Sequence, residues 1–413
     1  MKQYTRAQLQ HAIADQWSTR SYRIEYGGYL SNHLLHGVVA LFDLGAPATQ
    51  VDSFAASYAK TLVPVESANY QNGRSVLTLD EALPLLGKRV RFEDLADMYE
   101  REIAVLGRDG AVRQHLPRLV GGLAGSLLHG IIQLGYAYHV GVDRCVAEGL
   151  AYLHHSYLSF DRHDVAPEQR SEADKTTSGL NEAAAATFRR SDAFQLVHAL
   201  AKDEFLLEEQ QQRLQIEAIS NRTTSNLQRK LMAMCAHPEL GSGPAFQKID
   251  SVLRQYDFDA VDGDVAVDFA LWLFVLVPSC DFVLVHAVTS AWALQQVEHL
   301  LSPSDRARAW RTWFQMAASV VVMRQFQALP DTDTVKMDNG KMLEWEDLIA
   351  RTLSLDEPEL HVYKVVQVAH AHAMKTRNGP SAHTKALEFL TPLERSVIAQ
   401  LAASKVITDE CVI

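Results

Sequence analysis

Residues 269–294 read FALWLFVLVPSCDFVLVHAVTSAWAL, the longest apolar stretch of the chain. A run of this length can span a bilayer, so its reading decides between a membrane protein and a soluble one. Pro278, Asp281 and His286 interrupt it, and no lysine or arginine flanks it closely. Spanning helices keep ionisable groups out of their middles and place them at their ends. The stretch therefore predicts a helix buried in a soluble core, part of a longer apolar helix over 264–299.

The neighbouring segments share its helical period. No run alternates in the manner of a half-buried strand, and no Asn-Gly turn joins strand-like segments. Residues 31–44, SNHLLHGVVALFDL, predict a helix with Ser31 as N-cap, stopped at Gly45 with Pro47 just beyond. Helices are also expected at 51–62, from about 92, from Pro117 through a glycine-rich segment, and at 143–158. Further helices are expected at 183–235 with a break around SDAF, at 244–256, at 303–328 and in LEWEDLIARTLS. A last one covers 359–375, with Asp356 near its N-cap and Pro358 in its first turn. Gly121, Gly122, Gly125, Gly130 and Gly135 would weaken an exposed helix by ~1 kcal/mol each; clustered, they point to close helix approach or to room for a ligand. Residues 161–182, DRHDVAPEQRSEADKTTSGLNE, are polar and hold a proline and a glycine, which predicts a mobile surface loop or lid. With no repeat and no low-complexity divider, residues 1–413 are expected to form one all-α domain of many helices.

Composition narrows the function. The chain has 413 residues, 47% of them hydrophobic, and a net charge of −11, an ordinary globular balance without the basic face of a nucleic-acid binder. Cys145, Cys235, Cys280 and Cys411 are far apart and form no C-x-x-C. Single cysteines suit a reducing cytoplasm, and neither a zinc knuckle nor a redox dithiol is signalled. The first residues lack the apolar core of a signal peptide and the last fall one short of a prenylation box. No membrane partner is expected, and nothing sets the oligomeric state.

Chemistry concentrates where polar groups sit in apolar helices. In ELHVYKVVQVAHAHAMK (359–375), His361, Lys364 and His372 share a stripe with Val365 and Val368. Such a lysine either reaches out to a carboxylate or stays buried and reacts; the spacing leaves both open. His36, with His33 one turn before it, His129 and His286 each fall in a strongly apolar segment, read as mid-helix. A buried imidazole needs partners for both nitrogens. Convergence of His36, His129, His286 and His361 on one ion would satisfy four together, as helix bundles do with inward side chains. His33 and His372 are the alternates.

Four segments in this order, SNHLLHGVVALFDLGA (31–46), LLHGIIQLGYAY (127–138), FVLVHAVTSAWAL (282–294) and ELHVYKVVQ (359–367), resemble the questin oxidase-like family along nearly the whole chain. Its known members are fungal enzymes that oxidatively open anthraquinone-type rings. Some are described as NADPH-requiring Baeyer–Villiger-type oxidases, and at least one as a non-haem iron dioxygenase with iron on four histidines and a carboxylated lysine. The resemblance implies Fe(II) held by His36, His129, His286 and His361, with Lys364 as the N6-carboxylysine. Burial lowers a lysine pKa and leaves the neutral amine with which carbon dioxide reacts. Gln133 stands where other members often carry a histidine. It, Tyr136, Thr289 and Trp292 are placed beside the ligands, as substrate contacts or packing. The implied partners are dioxygen and a small aromatic polyketide or quinone-like substrate.

Three other readings compete. A flavin Baeyer–Villiger enzyme lacks support, because no G-x-G-x-x-G follows a strand, so any NADPH site would be non-Rossmann. A metal-dependent hydrolase would need a H-x-H that acts together, whereas His370-Ala371-His372 on a helix points its rings apart. A helical binding protein would hold the buried histidines for structure alone.

Overall fold

Local signals set the helix starts. Helix α1 (Arg6–Gln16) opens on a capping box, in which the Gln8 amide donates to the Thr5 hydroxyl and the Thr5 amide donates to the Gln8 side chain at 3.0 Å. The computed structural model describes residues 2–65, 76–161, 164, 186–187, 190–208, 231, 236–237, 241–277, 280–324, 343–355, 359–377 and 392–408. Apart from Asp161 and Asp164, the expected lid at 161–182 lies outside them, as do Asp356 and Pro358.

The longer helices are α2 (Leu34–Asp43), α3 (Ala48–Ala59), α4 (Phe92–Leu119), α5 (His129–Val140), α6 (Asp143–His155), α7 (Arg190–Lys202) and α8 (Pro244–Leu253). They continue as α9 (Gly263–Leu276), α10 (Phe282–Val297), α11 (Pro303–Arg324), α12 (Trp345–Ser354), α13 (Leu360–Arg377) and α14 (Pro392–Thr408). Among the described residues strand is confined to two-residue pairs. One is the hairpin β1 (Glu25–Tyr26) and β2 (Leu30–Ser31), which sets Glu25 opposite Ser31 across a turn with Gly27 and Gly28 at φ +59° and +95°. The fold is all-α, as expected.

Several boundaries differ from the sequence reading. The 264–299 segment is two helices: α9 ends before Pro278, and Asp281 starts α10 by accepting the amides of Val283 and Leu284 at 2.9 and 3.2 Å. No described helix is long and apolar enough to cross a membrane. Pro117 does not open a helix; it sits in the last turn of α4, which kinks at Gly107 (φ +72°). Helix α7 runs through SDAF without a break. Helix α2 starts three residues after Ser31, with His33 as N-cap, and stops as expected at Gly45, φ +78°. Cys145 is a buried free thiol, but Cys280 is disulfide-bonded, which the wide cysteine spacing did not foretell.

One continuous apolar core joins the helices. Within it α2 packs on α5, α5 on α10, α10 on α13 and α13 back on α2, so the four motif-bearing helices close a ring. The clustered glycines serve close approach. A Cβ on Gly135 would stand 2.4 Å from the Cα and carbonyl oxygen of Ala293 on α10, and one on Gly130 would stand 2.9 Å from the Leu153 amide nitrogen on α6.

Candidate metal centre

The four ring helices bring their N-terminal turns together. His33 is the N-cap of α2, His129 the first residue of α5, His361 the second of α13, and His286 lies one turn into α10. Of the histidines expected mid-helix, His36 and His286 lie inside α2 and α10, whereas His129 and His361 stand at the starts of α5 and α13. His33, His129, His286 and His361 are all buried, and Lys364 and His286 are fully so.

The chain before His129 is unusual. Ser126, Leu127 and Leu128 are three consecutive non-glycine residues in the left-handed region, at φ +47°, +54° and +69°. Each such residue costs roughly 1–3 kcal/mol and persists only where its surroundings hold it. The turn swings the Ser126 carbonyl under the His129 ring.

Each imidazole is fixed through Nδ1. His33 donates to the Ser31 carbonyl at 2.6 Å, His129 to that of Ser126 at 2.5 Å and His286 to that of Phe282 at 2.7 Å. His361 donates to the Glu359 carboxylate at 2.7 Å. These acceptors carry no proton to give, so every Nδ1 keeps its hydrogen and every Nε2 is a bare lone pair. The Nε2 atoms of His33 and His129 are nevertheless 2.7 Å apart, and those of His129 and His286 3.2 Å. His361 closes the group, its ring centred 5.0 Å from His33 and 4.9 Å from His286, with Nε2 unpartnered.

Lone pairs facing one another at these distances repel unless a cation lies between them. Two ligands bound at right angles to one ion at ~2.1 Å stand ~3 Å apart, which matches the separations found. His33, His129 and His286 alone form a geometrically sufficient triad for a metal. The donor set fits the expected iron, and the carbonyl and carboxylate partners are the kind that orient metal-bound histidines.

Electrostatics agree. Burial, reinforced by neighbouring imidazoles and Lys364, holds His33 and His286 well below the ordinary histidine value, and burial followed by Lys364 lowers His361. Burial pushes His129 down to about 3. All four imidazoles are held in the neutral form, the form that can bind a metal. Lys364 has no hydrogen-bond partner at Nζ, and burial pushes it down to about 7, against a small opposing pull from Glu359.

The remaining candidates fall around this group. His36 is buried with its ring 5.4 Å from His33; its Nε2 donates to Gln133 Oε1 at 2.9 Å, its Nδ1 has no partner, and like His361 it lies outside the triad. Gln133 in turn donates to the buried Glu148 at 3.3 Å. Tyr136 lies against His36 at 5.2 Å and Trp292 at 4.7 Å, and its hydroxyl donates to Gln367 at 3.0 Å. Thr289 donates back into its own helix, to Val285. His372 is engaged elsewhere, with Nε2 on Asp268 at 2.6 Å, while the His370 ring meets Trp345; the two rings of the H-x-H part company as expected. Glu359 was not singled out from the sequence, although it lies two residues before His361 in the same motif.

A family model described as Questin oxidase-like matches residues 30–369, a span that contains His33, His129, His286, His361 and Lys364. No curated protein matches the chain. The match implies an oxidoreductase, and over that length the chain belongs to the questin oxidase-like family.

Proposed function

We propose that the protein is a non-haem iron oxygenase that inserts oxygen into a ring of an aromatic polyketide or quinone-like substrate and opens it. Family membership supports the oxidoreductase class. One observation carries the metal: three buried imidazoles, each with Nδ1–H tied to a backbone carbonyl, turn their Nε2 lone pairs on one another, beside His361, whose Nε2 has no partner, and an unpartnered lysine.

In this reading Fe(II) is held by His33, His129, His286 and His361, with His33 in the role that spacing gave to His36. The bound iron supplies the means of activating dioxygen. The protein's own residues do the rest. Neutral imidazoles give donor atoms without charge. The neutral Lys364 amine attacks carbon dioxide, forming an N–C bond and releasing one proton, and the carbamate presents an anionic oxygen. That anion is well placed: helix N-termini carry partial positive charge, which opposes a cation and favours a negative ligand. Gln133 fixes the His36 ring, and Tyr136 and Trp292 form an aromatic wall beside it, which suits a flat substrate.

The test is metal content and oxygen uptake. Purified protein is expected to carry one iron per chain, to consume dioxygen with an anthraquinone-type substrate without NADPH, to stop on chelation and to resume with Fe(II). Turnover that needs NADPH and survives metal removal would establish the Baeyer–Villiger alternative, and two zincs per chain would establish a hydrolase.

A further inference from the structure

Among the described residues, every non-glycine residue with positive φ lies in two places: Arg89 and Arg91, and the turn of Ser126, Leu127 and Leu128. One side chain ties these places together. The Glu25 carboxylate accepts from Arg89 Nη2 at 2.6 and 2.7 Å, from the Ser126 hydroxyl at 3.0 Å and from the Tyr152 hydroxyl at 2.8 Å. Arg89 Nη1 also donates to the Ser126 hydroxyl at 3.1 Å. Because Tyr152 gives its proton to Glu25, the Ser31 hydroxyl donates to Tyr152, at 2.6 Å.

Ser126 and Ser31 are the residues whose carbonyls receive the Nδ1–H of His129 and His33. Glu25 itself sits opposite Ser31 in the β1–β2 pair. We infer that Glu25 is a positioning residue of the metal centre: paired with Arg89, it clamps Ser126 and Ser31 so that their carbonyls aim two of the four imidazoles. It touches none of the four imidazoles of the centre, its one imidazole neighbour being His155 at 4.0 Å, and it acts on the centre through the two serines. The inference rests on the iron reading for its consequence, but the clamp is observable without metal.

The experiment uses full-length protein, wild type and Glu25→Ala. In the metal-free state, NMR is expected to show protected imidazole Nδ1 protons for His33, His129 and His286. In Glu25→Ala those of His33 and His129 are lost or exchange rapidly. That of His286 persists, because its acceptor, Phe282, belongs to the same helix. In the metal-bound state, competition with a chelator should show Fe(II) affinity reduced 10–100-fold, the usual effect of removing such an outer partner, and the Co(II)-substituted protein should show a changed ligand-field spectrum. A variant that merely loses stability would leave the bound-metal spectrum unchanged. Should Glu25→Ala fail to fold, Glu25→Gln takes its place with the same expectations, and Ser126→Ala, which breaks one arm of the clamp, is expected to affect the His129 proton and leave that of His33 in place. Unchanged His33 and His129 protons overturn the clamp. A wild type that shows those protons yet binds no iron overturns the iron reading and leaves the clamp standing.

Discussion

Replacing Lys364 by methionine should make the metal-free protein more stable while removing its function. The lysine is fully buried, its Nζ has no partner, and burial pushes its pKa from 10.5 to about 7. At 1.36 kcal/mol per pH unit, the gap between 10.5 and about 7 corresponds to ~5 kcal/mol. The sign follows from proton counting. Below pH 7 both folded and unfolded chains hold the proton, and the full cost of burying the ammonium is felt. Between pH 7 and 10.5 the unfolded chain holds it and the folded one does not, so wild-type stability rises with pH through that window. Above 10.5 the cost has gone. Methionine fills similar space without a charge, so the stability advantage of Lys364→Met should be ~5 kcal/mol at pH 7 and fall towards zero by pH 10.5. Urea unfolding of both proteins, stripped of metal and in buffer free of carbon dioxide, measures this difference. An advantage that does not change with pH, or a variant less stable than wild type at pH 7, would refute the picture of an unpartnered buried amine. The same variant should load no iron, because a thioether cannot form a carbamate.

Three further outcomes are expected. His33→Ala should weaken Fe(II) binding by more than about 100-fold, while His36→Ala, outside the triad, should cost about 10–100-fold at most; a chelator titration that reverses this order would exchange their roles. Gly135→Ala forces a Cβ to 2.4 Å from the Ala293 backbone and should destabilise the fold by ~1–3 kcal/mol, read as a lowered melting temperature without altered metal stoichiometry. In acid, the buried imidazoles of His33, His36, His129, His286 and His361 have folded pKa values below the ordinary 6.5. Unfolded chains therefore take up protons that folded ones refuse, and metal-free stability should fall as pH drops below 6.5, more steeply than the 1.36 kcal/mol per unit of one group. A urea midpoint that stays level from pH 7 to pH 5 would contradict this.

The helical period made the fold class legible, because apolar residues at 3.6-residue spacing leave few alternatives. Burial of histidines among valines and leucines made the four site-bearing segments legible too. The choice between His33 and His36 was not. Both lie within one turn of each other, and the difference depends on where α2 begins, where the Leu34 amide donates to Asn32 Oδ1 at 2.9 Å and the His33 amide to the Tyr58 hydroxyl at 3.2 Å, a contact from another helix. Ser126, Leu127 and Leu128 carry no local preference for left-handed backbone, so nothing in the sequence announced the turn that delivers His129. A proline and an aspartate in one apolar run interrupt a single helix as easily as they separate two; the structure takes the second course, with Asp281 capping α10.

The glycine contacts bear on how a substrate gets in. Where α5 meets α10 at Gly135 and α6 at Gly130, the glycine stands directly against the backbone of Ala293 and of Leu153. Helices joined in that way should move as one block. On the proposed reading His129 and His286 then stand on a fixed wall, and the motion that admits a bulky ring system is expected on the opposite side, where His33 and His361 ride on α2 and α13. The amides of α5 and α10 should be among the slowest in the protein to exchange with solvent, and the door and the anvil of the active site would then be different halves of one helical ring.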